Sequence, residues 1–403
     1  MVSRLISAPR NRTFFLLGPR MTGKSTWLKS RFSRGLKIDL LDELNFQRYL
    51  SDPSLFRNEV LTHHRRHPGD WVIVDEIQRL PGLLNEVHRL IEDPGIRFAL
   101  SGSSARKLKR GGANLLAGRA IELRLFALTS LELAGEFDLD RALRFGSLPA
   151  VWFAENDRDR MRILKSYVST YLREEVQAEG LVRALPAFSK SLQLAAETVS
   201  RETNFTNISS ETGVRSKTIG EYFQIFEDTL VGFLLPPWSK SVRKELAGKP
   251  KFYFFDNGVT NALRQTLGDA PTGDSLGVLF EQWVVNEVRA ILSYRELDLS
   301  LSFWRVRGGG EVDLVLSQGS RPALAVDIKS TTRPTLRDLA GLRSFAEEFP
   351  RTPRVLVSRQ PRGLTLDGVS CLPVLEFMDR ITQAEDARDL AKLFEIPDNE
   401  AAR

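Results

Sequence analysis

The chain has 403 residues, 42% of them hydrophobic and 27% charged, a globular composition too long for a single core, so two or three domains are expected. Its single cysteine, Cys371, excludes an internal disulfide framework and a cysteine-rich zinc finger, and points to a reducing compartment, the cytoplasm. Lys and Arg (57) exceed Asp and Glu (51) for a net charge of +6, a mild bias toward an anionic partner. No apolar run approaches the roughly 20 residues of a membrane span, and residues 1–10 lack the apolar stretch of a secretory leader.

The first expected element is Thr13 to Leu17, an apolar run suited to a fully buried parallel strand. It leads into Gly18-Pro19-Arg20-Met21-Thr22-Gly23-Lys24-Ser25 and then the helix-like Thr26-Trp27-Leu28-Lys29. G-x-x-x-x-G-K-S between a strand and a helix is a phosphate-binding loop, in which backbone N–H groups curl around phosphates at a positive helix terminus. Gly18 to Thr26 are therefore the nucleotide-binding candidates. Lys24 is placed for the β- and γ-phosphates of ATP and the Ser25 hydroxyl for Mg²⁺. The bland alternative is a glycine turn before a helix.

His63, His64 and His67 fall in a basic stretch that reads as a solvated helix rather than a metal site. A second buried strand, Trp71 to Val74, ends in Asp75-Glu76. A carboxylate at a strand edge beside a phosphate loop suits the Mg²⁺ shell, here Asp75, and Glu76 is placed to polarise the attacking water. A third strand, Ile96 to Leu100, ends in Ser101-Gly102-Ser103-Ser104, whose small hydroxyl residues are candidates to sense the γ-phosphate and position water, or form a turn capping the next helix. Arg119 precedes a fourth strand, Ile121 to Leu125, and is either a surface residue or a group that stabilises the transferring phosphoryl, in its own site or a neighbour's.

Residues 12–135 resemble the AAA-type ATPases of a large prokaryotic family. Its shared segments appear here as the loop already quoted, Val74-Asp75-Glu76-Ile77-Gln78-Arg79-Leu80-Pro81, Leu100-Ser101-Gly102-Ser103-Ser104-Ala105 and Leu116-Ala117-Gly118-Arg119. The resemblance implies a parallel sheet with an extra strand between the phosphate-loop strand and the Asp-Glu strand. It also implies site roles for Ser103 and Arg119. It extends over the C-terminal half, which in that family is a domain of unknown function and supplies no role.

From Asp157 to Val199 the apolar spacing is helical. Phe205 to Ser210, a turn at Gly213, and Ser216 to Thr229 then read as a helix-turn-helix, with Ser216-Lys217-Thr218 where a recognition helix meets DNA. Trp238 to Lys251, with Lys240, Arg243, Lys244, Lys249 and Lys251 against Glu245, is expected to form a basic wing. The alternative is a winged helix that only packs on the ATPase as a lid.

The last part is a second α/β unit. A helix runs through Phe280 to Val288, followed by strands at Phe303 to Arg307, Glu311 to Leu316 and Leu324 to Lys329, a helix from Leu336 to Phe349, and a strand at Arg354 to Val357. Asp313 lies on one strand; Asp327 and Lys329 lie on the next, on one face by period-two spacing. Two carboxylates and a lysine suit metal-assisted phosphodiester hydrolysis, with Asp313 and Asp327 as Mg²⁺ ligands and Lys329 orienting water. Glu281 or Glu287 is a further ligand candidate. The arrangement resembles the PD-(D/E)XK restriction-endonuclease-like superfamily, although Val312 stands where a proline is expected and Gly308 to Glu311 depart from many members. A structural ion pair, or a degenerate nuclease fold kept for binding, is the alternative.

The expected fold class is thus α/β: an AAA-type P-loop sheet over 1–135, a helical and winged-helix middle over 136–251, and a restriction-endonuclease-like domain over 252–403. The expected function is an ATP- and Mg²⁺-dependent ATPase acting on DNA, with a homo-oligomer admitted by Arg119. The alternative is an ATP-controlled switch whose nuclease-like domain binds partners without cleaving.

Overall fold

A computed structural model of the chain describes residues 2–104, 116, 118–171, 185–239, 248–306 and 310–395. Strands β1 (Thr13–Leu17), β2 (Leu36–Asp39), β3 (Val72–Asp75), β4 (Phe98–Gly102) and β5 (Ala120–Arg124) form an all-parallel sheet in the order β2-β3-β4-β1-β5. All five residues of β1 are buried, as a central strand covered on both faces requires. Helix α1 (Lys24–Arg31) packs Trp27 and Leu28 on one face. The other face is covered by α3 (Pro53–Arg66) and α4 (Leu83–Glu92), with α2 (Glu43–Ser51) adding Tyr49. Asp42 and Asp52 cap α2 and α3 with their side chains, and Pro53 occupies the first turn of α3. Strand β4 lies between β1 and β3, the extra strand expected from the sequence.

The helical middle comprises α5 (Ser130–Leu133), α6 (Leu139–Phe145), α7 (Pro149–Trp152), α8 (Asp157–Ser166), α9 (Leu185–Glu197), α10 (Phe205–Thr212) and α11 (Ser216–Asp228). Gly213 closes α10 at φ 70°, so the bend between α10 and α11 falls where the sequence puts it. Strands β6 (Gly232–Leu235) and β7 (Lys251–Phe254) then pair antiparallel, and α12 (Asn257–Leu263) returns to α6. The aromatic run at β7 is core: Phe252 lies 5.0 Å from Phe223 and 5.8 Å from Phe226, ring to ring.

The C-terminal unit starts with α13 (Gly273–Tyr294) and continues through β8 (Ser300–Arg305), β9 (Glu311–Gln318), β10 (Arg321–Lys329), α14 (Ala340–Glu348) and β11 (Arg354–Ser358). Strands β12 (Leu364–Leu366) and β13 (Val369–Pro373) and helices α15 (Val374–Gln383) and α16 (Ala387–Phe394) complete it. Its mixed sheet has the order β12-β13-β11-β10-β9-β8.

One expectation is corrected here. The segment from Trp238 to Lys251 does not stand out as a free basic wing at either end. The backbone N–H of Trp238 donates to Phe303 O at 2.5 Å, its indole donates to Ser317 Oγ at 3.0 Å, and its ring meets Phe349. At the other end Lys251 is only 2% exposed. The physical reason is that an indole gains more from apolar contact than from water, and a buried ammonium demands carboxylates. Lys240, Arg243 and Lys244 lie outside the described residues, as do Gly308 and Gly309. A buried cluster runs from Leu128 through β7 and α13 to Phe394, across the position 251/252.

Helix α13 reaches further still. Its Ala290 and Tyr294 are buried with Phe14, Trp27, Leu28 and Leu125 of the first unit. Among the described residues no helix is long and apolar enough to cross a membrane.

Candidate functional site

The phosphate loop bends between β1 and α1 through Met21 (φ 65°) and Gly23 (φ 94°). A side chain at Gly18 would collide with the Leu125 carbonyl, so the loop needs glycine there as well. Lys24 is buried, and its Nζ donates to the carbonyls of Gly18 (2.8 Å) and Pro19 (2.9 Å), folding the ammonium over the loop. Thr22 Oγ1 fastens the same turn by donating to Pro19 O at 2.9 Å. Ser25 is half-buried on the first turn of α1. Arg20 and Met21 are half-buried and Thr26 is exposed.

Asp75 and Glu76 are buried at the end of β3, and Glu76 takes left-handed backbone (φ 57°). Ser101, at the end of β4, joins them: its hydroxyl donates to Asp75 Oδ1 and accepts from Glu76 N at 3.2 Å. Ser103 Oγ lies 3.5 Å from Glu76 Oε2. Gln78 completes the group. Its Nε2 donates to Glu76 Oε2 and, at 3.1 Å, to Ser103 Oγ, while its Oε1 is buried without a protein partner. A carboxylate, two hydroxyls and an orphan amide oxygen form a polar niche of the kind that holds a water. The amine, hydroxyl and carboxylate at Lys24, Ser25 and Asp75 are the donor set that triphosphate and Mg²⁺ require.

A cavity of about 210 Å³ opens beside α1, lined by Gly23, Thr26, Trp27, Leu128, Pro149 and Phe153. On the other side of the loop Arg289, from α13, lines a cavity of about 20 Å³ with Gly18, Pro19 and Arg124. Its guanidinium sits 3.9 Å from the centre of the Phe233 ring.

Arg119 falls elsewhere. It precedes Ala120, which pairs with Thr13 at the start of β1, whereas the phosphate loop follows Leu17. Four residues of strand separate these edges by roughly 13 Å, and the Arg119 side chain pairs with Glu92 on the surface. An action of Arg119 on its own chain's phosphates is therefore corrected: it lies at the opposite edge of the sheet.

The C-terminal cluster brings the expected carboxylates together. The pairings Ala325↔Val315 and Val326↔Leu314 continue to put Asp327 opposite Asp313. Lys329 Nζ lies 2.5 Å from Asp327 Oδ1 and 3.6 Å from Asp313 Oδ2, and Ile328 N donates to Asp313 Oδ2 at 2.9 Å. Burial raises both carboxyls, but Lys251 and Lys329 hold Asp313 below the usual range. Burial and the Asp313 charge push Asp327 well above it. Glu281, one of the two candidates on this helix, joins from α13; burial lifts it to about 7 against the pull of Lys251. A side chain at Gly341 of α14 would collide with the Glu311 carbonyl beside this cluster.

Lys251, expected on a DNA-facing wing, is instead the cluster's centre. Its Nζ lies 3.0 Å from Glu281, 2.6 Å from Glu311 and 3.5 Å from Asp313. Tyr253 adds an O–H bond to Glu281 at 2.6 Å. Among the described residues no group of three or more His, Cys, Asp or Glu side chains is arranged to hold a metal ion. Glu287, the other expected ligand, is not in the cluster. It turns toward the first unit, where the Ser130 N–H and hydroxyl donate to Oε2 at 2.9 and 2.7 Å.

Three families match consecutive parts of the chain: an AAA domain at residues 10–134, a domain of unknown function (DUF8612) at 136–270 and another (DUF4143) at 276–377. The N-terminal unit has the AAA-type P-loop fold. Solved structures similar to the chain include a Signal Transduction ATPase with Numerous Domains (STAND) protein with a tetratricopeptide repeat sensor from Pyrococcus horikoshii. That likeness has 11% identity and a TM-score of 0.25, and covers 72% of this chain and 48% of that one, so the chain spans about half its length. Another is Drosophila ORC bound to AT-rich DNA and Cdc6, at 12% identity and a TM-score of 0.21, covering 64% of this chain and 86% of that one. Scores this low carry no weight for function. No curated protein matches the chain.

In the AAA-type unit, sequence reasoning missed Gln78 and took Ser101 only as one of the small hydroxyl residues at the strand end. Ser101 was visible as the last residue but one of a strand due to lie beside Asp75. Gln78 sits two residues after Glu76, and only its folding back reveals it. The His63 group has a neighbour that the sequence reading did not give it, Asp70 at 3.5 Å from His63 Nε2.

Proposed function

We propose that the chain is an ATP-hydrolysing switch whose nucleotide state is passed to its C-terminal half through α13. One observation supports this above the others: Ser101 of the inserted strand ties Asp75 to Glu76, completing the acidic half of a P-loop ATPase site. In this reading the backbone of Gly18 to Lys24 cradles the phosphates, and Lys24 leaves its loop carbonyls for the β- and γ-phosphates. Ser25 and Asp75 hold Mg²⁺, which supplies charge neutralisation on those oxygens. Glu76 accepts the proton of the attacking water, and Gln78 Oε1 with Ser103 Oγ orients that water. The slot between α1 and α7, with Trp27, Pro149 and Phe153, is sized for the base.

The output runs along α13. Tyr294 OH accepts from Phe126 N and from Arg4 at 3.0 Å each, Glu287 holds Ser130, and Arg289 borders the phosphate loop. Thirteen residues before Tyr294, about 20 Å along the helix, Glu281 enters the C-terminal cluster. A loop displacement on hydrolysis therefore meets one rigid element in contact with both units.

The test is ATP binding and phosphate release by the full chain, beside Lys24→Ala and Glu76→Gln. Binding lost in the first, and binding kept with turnover lost in the second, are the expected results. Undiminished turnover in Glu76→Gln would sink this assignment.

A second reading, action on DNA, is favoured by Arg215 and Lys217, both exposed at the start of α11 in a helix-turn-helix. Exposed Glu221 further along the same helix offsets part of that charge. Salt-sensitive stimulation of ATP turnover by duplex DNA, lost in Lys217→Glu, is its signature; turnover indifferent to DNA leaves the switch alone.

A further inference from the structure

A nuclease-like reading of the C-terminal unit brings a divalent metal to Asp313 and Asp327. The residues present do not fit one. The place where such an ion would meet Glu281, Glu311 and Asp313 is taken by the Lys251 ammonium, at 3.0, 2.6 and 3.5 Å. On the far side of Asp313 a second ammonium, Lys329, binds Asp327 at 2.5 Å, and Arg305 lies 3.6 Å from Glu311. We propose that Lys251 is the built-in cation of this cluster, standing where a metal ion would stand, so that the C-terminal unit holds its carboxylates without a divalent metal and is no metal-dependent phosphodiesterase.

Three features make Lys251 a fixed counter-ion and not a passing surface lysine. Its side chain is buried, and its Nζ rests 5.3 Å from the centre of the Phe303 ring. Its backbone is held on both sides, by Leu235 of β6 and by a bridge to Glu202. Its partners come from elsewhere in the chain: Glu281 from α13, and Glu311 and Asp313 from β9. An ammonium so placed repels any divalent ion at contact distance, and together with Lys329 and Arg305 it offsets most of the carboxylate charge that would draw one in. Because Lys251 belongs to the β6–β7 hairpin, the cluster also clasps the helix-turn-helix to the C-terminal sheet. None of this depends on whether ATP is turned over at Lys24.

The experiment is Mn²⁺ binding to the nucleotide-free full chain, read by electron paramagnetic resonance of the free ion and by the metal's effect on Tm. Wild type, Asp313→Asn, Lys251→Met and the double variant are compared. Wild type and Asp313→Asn are expected to be indistinguishable in Mn²⁺ uptake. Lys251→Met is expected to gain about one Mn²⁺ per chain with a rise in Tm on adding the ion, both lost in the double variant. Mn²⁺ uptake by wild type that disappears in Asp313→Asn would overturn the proposal, because the metal would then share the cluster with Lys251. A folded Lys251→Met that takes up no Mn²⁺ would overturn it too. Should Lys251→Met fail to fold, the wild-type and Asp313→Asn comparison decides by itself.

Discussion

Glu287, on the C-terminal helix α13, accepts hydrogen bonds from both the backbone N–H and the hydroxyl of Ser130, 157 positions earlier in the chain. The contact caps α5 with a carboxyl from another unit. Burial, only partly offset by the Ser130 hydrogen bonds, pushes this carboxyl up to about 8 from its usual 4.5. The folded protein thus keeps a proton that the unfolded chain gives up from about pH 4.5. The stability this contributes is fully present below that pH and is lost as pH rises toward about 8. We expect denaturant melts across this window to show stability falling with pH. Glu287→Gln should flatten the fall by up to about 1.4 kcal/mol per pH unit. An unchanged slope in the variant would mean that Glu287 is ionised in the fold.

The niche at Glu76 sets a second expectation. Glu76→Gln should lower kcat by about 10² to 10⁴-fold, the range for a general base. Gln78→Ala should lower it by roughly 10- to 100-fold, as loss of a hydrogen bond to a charged group implies. Neither should weaken ATP binding much, since neither side chain belongs to the phosphate loop. Binding and turnover measured together separate this from a folding defect, which would depress both.

Arg119 supplies a third. At the far edge of the sheet, where it pairs with exposed Glu92, it contributes little to stability. Arg119→Ala should leave turnover of the dilute protein unchanged. A loss that appears only as protein concentration rises would reveal an action on a neighbouring chain and an oligomer.

The Lys251 cluster sets the fourth. Removing one member of a buried ion pair costs about 3–5 kcal/mol, because the partner is left buried and charged. Lys251→Met should show this loss at neutral pH in chemical denaturation. Adding Asp313→Asn should recover part of it, since a neutral amide needs no counter-ion. A double variant less stable than the single one would count against the charge argument.

The phosphate loop, the Asp75-Glu76 pair and the strands carrying them were legible because each is a local pattern: an apolar run, a fixed glycine spacing, a carboxylate at a strand end. The helix-turn-helix was legible for the same reason, its bend needing a left-handed glycine at position 213. In the C-terminal unit the order of strands and polar interruptions put Asp313, Asp327 and Lys329 together, because period-two spacing fixes which strand residues share a face, while Glu281 and Glu287 stayed open.

What the chain's local order did not decide was which distant groups meet. Lys251 read as one more cation in a basic stretch, and only the pairing of β6 with β7 and the docking of α13 drive it among Glu281, Glu311 and Asp313. Glu287 has the same spacing claim as Glu281 on α13, yet six positions rotate it toward the first unit and into the Ser130 cap. Gln78 became part of the site only because the turn after Glu76 folds its amide back. Local sequence determined the phosphate loop and the elements of each unit, because short-range sterics and periodicity act within a few residues. Tertiary structure decided the charge of the C-terminal cluster and the link between units, because burial and ion pairing depend on partners the sequence holds far apart.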